Sequence, residues 1–131
     1  MRVLVVEDQP KFANLIRKGL EEQGMVVDLC DDGDEAFELA TTTPFDAIIL
    51  DIMLPGRDGL SILRGLRDTL SERTAVLVSH RVSALSLADH VLVLDEGRVV
   101  ERGSHDELVA AGGLYAELEE RQRIEAEIEA L

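Results

Sequence analysis

Tryptophan is absent, cysteine occurs once, at Cys30, and the aromatic complement is three phenylalanines and one tyrosine. A lone cysteine excludes an intramolecular disulfide framework and makes a reducing compartment the default. With so few rings, the core must be built from Val, Leu, Ile and Ala, the composition of a parallel sheet covered by helices. Lysine is scarce as well, Lys11 and Lys18 being the only two, and 13 basic residues face 27 acids for a formal net charge of −14. Such a field repels nucleic-acid backbones and anionic lipid and attracts cations, so neither nucleic acid nor membrane is expected as a partner. No apolar run approaches membrane-spanning length. Residues 1–8 lack the basic start and long apolar centre of a secretion signal, so the expected location is cytoplasmic.

What the sequence does contain is a regular alternation. Apolar runs of strand length, VLVV, MVVDL, FDAIILD and AVLVS, are separated by helix-period segments, the pattern of repeated βα units feeding a parallel sheet. Pro10 suits a first helical turn, Phe12, Leu15, Ile16 and Leu20 are expected on one apolar face, and Gly24 closes that helix. Asp32-Gly33-Asp34 turns into a second helix, and Leu60, Leu63, Leu66 and Leu70 mark a third. Beyond Arg81 a short helix leads to VLVLD, the Glu96-Gly97 turn makes a hairpin with RVVER, and Ser104 to Glu107 fits a capping box. His90 and His105 take ordinary positions at a strand start and a first helical turn.

In a parallel α/β sheet the carboxyl ends of the strands line the binding crevice. Glu7 and Asp8 after the first strand and Asp51 at the end of the third should therefore converge. Three carboxylates so close call for a compensating cation, and hard oxygen ligands suit Mg²⁺. Any one acid alone would be read as a solvated loop carboxylate; the trio is read as a site.

RVLVVEDQP and FDAIILDIMLPGRDG, at their separation, resemble the receiver domain of two-component response regulators over residues 1–60. The resemblance implies that Asp51 is the phosphoacceptor. It also implies that Asp8 and Asp51 bind Mg²⁺, with Glu7 helping through water and the Met53 carbonyl completing the shell. A receiver further needs a hydroxyl ending its fourth strand, which Ser79 can supply, and a lysine ending its fifth. That lysine is missing, and Leu94-Asp95-Glu96 stands in its place.

From about Ser61 the chain, including AVLVSHRV, VLVLDEGRVVERG and GSHDEL, resembles the C-terminal part of an ABC-transporter nucleotide-binding domain. The resemblance identifies His80 as that family's switch histidine, which senses the terminal phosphate of ATP. No G-x-x-x-x-G-K-[ST] loop exists to cradle phosphates, so no ATP binding or hydrolysis is expected, and no transporter partner. His80 has two readings. The plainer one is a partly exposed residue after a strand, hydrogen-bonded to a nearby carboxylate. The sharper one has it facing Asp51 and Asp8, as a cation or a Zn²⁺ or Ni²⁺ ligand.

Together these readings give an α/β fold, a three-layer α/β/α sandwich with a flavodoxin-like parallel sheet of order 2-1-3-4-5 and an added antiparallel edge strand. Residues 1–131 form one hybrid domain, a receiver-like fragment to about 60 joined to an ABC ATPase-like fragment from about 61. The leading functional expectation is a designed chimera of flavodoxin-like and P-loop NTPase fragments. It is no enzyme, has no selected activity, and keeps vestigial Asp51, Ser79 and His80 and residual Mg²⁺ binding at Glu7, Asp8, Asp51 and Met53. The alternative is a phosphoacceptor signalling module phosphorylated on Asp51. A monomer is expected, with a segment-exchanged or helix-mediated dimer as the other option.

Overall fold

The computed structural model describes residues 1–51, 59–65 and 73–131, with Gly59 and Leu60 described by their backbone alone. The elements in chain order are β1 (Arg2–Val6), α1 (Pro10–Glu22), β2 (Val26–Cys30), α2 (Gly33–Thr42), β3 (Ala47–Asp51), α3 (Gly59–Gly65) and β4 (Thr74–Val78). They continue with α4 (Val82–Leu85), β5 (Val91–Asp95), β6 (Arg98–Gly103), α5 (His105–Ala111) and α6 (Leu114–Glu129). The chain packs as two compact units, Met1–Val78 and Ser79–Leu131.

In the first unit the four strands lie parallel in the order β2-β1-β3-β4. Alternation along β1 sorts its side chains between two helical layers. Val3 and Val5, with Ala47, pack against Ile16 and Leu20 of α1. Leu4 and Val6, with Ile48 and Leu50, pack against Ala36 and Ala40 of α2 and Ile62 of α3. This is the expected α/β/α sandwich. The local signals behave as their chemistry requires: Pro10 opens α1, and the Asp32 carboxylate accepts from the Asp34 and Glu35 amides to cap α2. Away from the crevice, Arg2 ties strands together: its side chain donates to Asp28 at 2.7 Å, and its backbone N–H donates to Asp46 at 2.7 Å.

Two expectations are corrected. Phe12 and Leu15 do not share the buried face of α1; they are 57% and 66% exposed. At about 100° per residue, Ala13, Ile16 and Leu20 form the inward stripe and leave Phe12 and Leu15 on the outer side. The sheet order 2-1-3-4-5 also fails, because β5 pairs antiparallel with β6 in a two-stranded sheet of its own. The hairpin itself is as expected: Glu96 and Gly97 both have positive φ, 50° and 75°, the conformation of a tight two-residue turn, and closing so short a loop costs little entropy, so β5 and β6 form a sheet on their own contacts and with their own core.

The second unit has its own core of Val82, Val91, Leu108 and Tyr115. Ser104 and Glu107 make the expected capping box at the start of α5. The Tyr115 hydroxyl lies 2.7 Å from His105 Nδ1, and the Glu101 carboxylate accepts from the Tyr115 backbone N–H at 2.9 Å at the start of α6. Leu66 and Leu70, expected on the third helix, lie outside the described residues.

Candidate metal and phosphoacceptor site

The register of the parallel ladder assembles the site. Val3 to Val6 run beside Ala47 to Leu50, so the next residue of each chain, Glu7 and Asp51, emerge side by side at the carboxyl edge. The Glu7 backbone N–H donates to the Cys30 carbonyl at 2.9 Å, continuing the β1-β2 ladder one residue past the strand and fixing where Glu7 stands. Asp8 follows on the exposed loop leading to Pro10.

Glu7, Asp8 and Asp51 each offer a carboxylate oxygen, and these oxygens lie within 4.8 Å of one another. Among the described residues this is the group of acids, histidines and cysteine able to hold a metal ion. Its electrostatics show what it lacks. The Glu7 carboxyl is pushed above the ordinary carboxylate range, first by burial and then by hydrogen bonding to Asp51 and the charges of Asp51 and Asp8. The Gln9 backbone N–H, donating to Glu7 at 3.2 Å, opposes that rise. Such a trio fits a hard divalent cation, which would replace mutual repulsion by three attractions.

A groove of about 290 Å³ adjoins the cluster, lined by Glu7, Asp8, Asn14, Cys30, Asp31 and Glu35 among others, so cations approach through further acidic surface. The Cys30 thiol is buried, donates to the Asp32 carbonyl at 3.2 Å, and is pushed up by burial, which keeps it a neutral core group.

The remaining site candidates fare differently. Met53 lies outside the described residues. Ser79 turns its hydroxyl onto its own loop, where Oγ accepts from the Arg81 N–H at 2.8 Å just before α4. His80 is exposed. What holds His80 is its main chain: Gln122 Nε2 donates to the His80 carbonyl at 2.5 Å, while Gln122 Oε1 accepts from the Val82 N–H at 2.8 Å. Sequence reasoning missed Gln122, since a glutamine in a charged helix carries no local sign of a partner so far back in the chain. Asp95 ends β5, and Glu96 occupies the turn that follows with φ 50°.

A parallel sheet covered by helices, with three acids clustered at the carboxyl ends of its first and third strands, is a flavodoxin-like α/β fold with a cation-attracting acidic pocket. The chain belongs to the response regulator receiver domain family, whose pattern matches residues 3–110. It is 43% identical over 99 residues to the transcriptional activator protein IrlR of Burkholderia pseudomallei, a match covering 71% of this chain and 43% of IrlR. It thus spans less than half the length of that relative. Among solved structures it is similar to the response regulator TrrA of Thermotoga maritima in complex with Mg²⁺-BeF, at a TM-score of 0.60 and 30% identity, covering 66% of this chain and 76% of TrrA. TrrA also matches as part of a complex with the histidine kinase ThkA, at a TM-score of 0.54 and 33% identity, covering 58% of this chain and 66% of that one.

A second family is represented too. An ATP-dependent lipid A-core flippase of Shewanella frigidimarina is 44% identical over 62 residues, covering 47% of this chain and 10% of the flippase. A bacterial Atm1-family ABC exporter with ATP bound matches at a TM-score of 0.52 and 39% identity, covering 59% of this chain and 14% of the exporter. Among the described residues, no helix is long and apolar enough to cross a membrane.

Proposed function

We propose that the chain is a phosphoacceptor signalling module whose phosphorylated residue is Asp51. The observation that carries this reading is the convergence of Glu7, Asp8 and Asp51 at one strand edge, with oxygens within 4.8 Å of one another. An Asp51 carboxylate oxygen attacks the phosphorus of a donor, the donor leaves with the electron pair of the broken bond, and an acyl phosphate forms on Asp51. Asp8 and Asp51 would hold the divalent ion, with Glu7 helping through water and the Met53 carbonyl as the further ligand that the family resemblance implies. When bound, Mg²⁺ supplies the positive charge that offsets repulsion between the carboxylate and the phosphoryl oxygens.

The donor class follows from the TrrA relative, which was solved with a histidine kinase. A phosphohistidine partner would meet Phe12 and Leu15, exposed on α1 just after the acidic loop. The protein is then a substrate of its partner and not a turnover enzyme. The absence of a phosphate-cradling glycine loop argues against any use of ATP.

The test is incubation with Mg²⁺ and a small acyl-phosphate donor, read by intact mass. Gain of one phosphoryl group by the wild type and none by Asp51→Asn is the expected result; no gain by the wild type refutes the reading.

One observation favours a second reading, a designed chimera of receiver and ABC ATPase-like fragments with no selected activity: the similarity to two unrelated families. Under it, beryllium fluoride with Mg²⁺ moves NMR resonances only around Asp51. Under the signalling reading the shifts spread into β4 and β5.

A further inference from the structure

We propose that the outer face of α6 is a docking surface for a basic amphipathic helix of another protein. The helix has two opposed faces. Tyr115 and Leu118 pack into the core of the second unit, and Gln122 on the same side is bonded to the His80 carbonyl and Val82 N–H. At about 100° per residue, Ile124 and Ile128, with Leu131 just beyond the helix, fall on the opposite side. They are 46%, 61% and 104% exposed, and every residue from 123 to 131 is exposed. The core that α6 serves therefore cannot bury this stripe without releasing Tyr115.

The charges beside the stripe select its occupant. Glu120 and Glu127 flank it on one side, and Arg121 and Glu125 on the other. Glu120 and Glu127 on one border face their own copies when two such helices pair antiparallel, so that self-pairing is opposed, while three acids against Arg121 leave the borders net negative. The same borders attract a helix with an apolar seam and Lys or Arg beside it, and they repel an anionic lipid surface. The spacing of Ile124, Ile128 and Leu131, four residues and then three, is that of a helix-pairing seam.

The test uses the full chain and two synthetic helices of about 21 residues with identical leucine seams, one bordered by lysine and one by glutamate. Calorimetric titration is expected to show binding of the lysine helix alone, weakened about tenfold as salt rises from about 0.05 to about 0.5 M. Ile128→Glu is expected to lose at least about tenfold in affinity. An unchanged far-ultraviolet circular dichroism spectrum of that variant excludes misfolding, because the side chain faces away from the core. Equal binding of both helices, binding of neither, self-association of the chain by sedimentation, or binding to neutral lipid vesicles in preference to the lysine helix would each overturn the proposal.

Discussion

Glu7 and Asp51 stand side by side at the β1-β3 edge with carboxylate oxygens within 4.8 Å of one another, and Asp51 is among the groups that push the Glu7 carboxyl above its ordinary range. Parallel register brings them together, since Val6 and Leu50 are ladder neighbours and these are the residues that follow. The pair marks where a cation belongs, and a pH dependence follows from it.

Glu7 has a folded-state pKa raised above 4.5, chiefly by burial and then by Asp51. The folded protein therefore holds this proton more tightly than the unfolded chain. Stability from this group is fully present at pH below about 4.5 and is lost as pH rises through the folded value. Glu7→Gln should remove this loss and raise stability at pH 7 by less than about 1 kcal/mol, because the group remains open to water. Urea midpoints of both proteins at acid and neutral pH check this; a variant less stable than wild type at pH 7 contradicts it.

Mg²⁺ should reverse the same repulsion. The thermal midpoint of unfolding should rise with Mg²⁺, reaching about 2.7 kcal/mol of stabilisation at a hundredfold excess over the dissociation constant. Asp51→Asn and Asp8→Asn should each reduce the rise. Differential scanning fluorimetry with Mg²⁺, using a monovalent salt of equal ionic strength as the control, measures it.

Glu96 occupies a left-handed conformation, φ 50°, in the turn between β5 and β6. A side chain there costs about 1 kcal/mol that asparagine and glycine largely avoid. Glu96→Asn should stabilise the second unit by about 0.5–1 kcal/mol, read as slower hydrogen exchange at Val91 to Glu101. Faster exchange would show that Glu96 contributes something its backbone angle conceals.

Gln122→Ala removes both ends of a bridge and leaves the Val82 N–H without its acceptor. A loss of about 1–3 kcal/mol is expected. It should be confined to the second unit, with amides of β1 and β3 keeping their protection in a hydrogen-exchange experiment.

Much of this fold was legible along the chain because its causes are local. Pro10, the Asp32 cap, the Ser104 and Glu107 capping box and the Glu96-Gly97 turn act within a few residues and stand where expected. The acidic trio was legible too, since strand ends in a parallel sheet share one edge. Phe12 and Leu15 were misread because an apolar residue on a helix does not reveal which of two adjacent stripes turns inward. Gln122 gave no sign, because its partners are set only by how α6 packs beside α4.

By itself the sequence determined the alternation of strands and helices, the caps and turns, and the identity of the acids at the β1 and β3 termini, each through short-range sterics, periodicity or charge. The hairpin of β5 and β6 was legible as well, from the tight turn at Glu96 and Gly97. Only the tertiary structure decided that this hairpin forms a sheet of its own and does not add VLVLD as a fifth parallel strand, because which strand lies beside β4 depends on long-range packing that residue types do not specify. The outcome is a four-stranded sheet bearing the acidic site and a separate unit in which Gln122 holds the segment around His80.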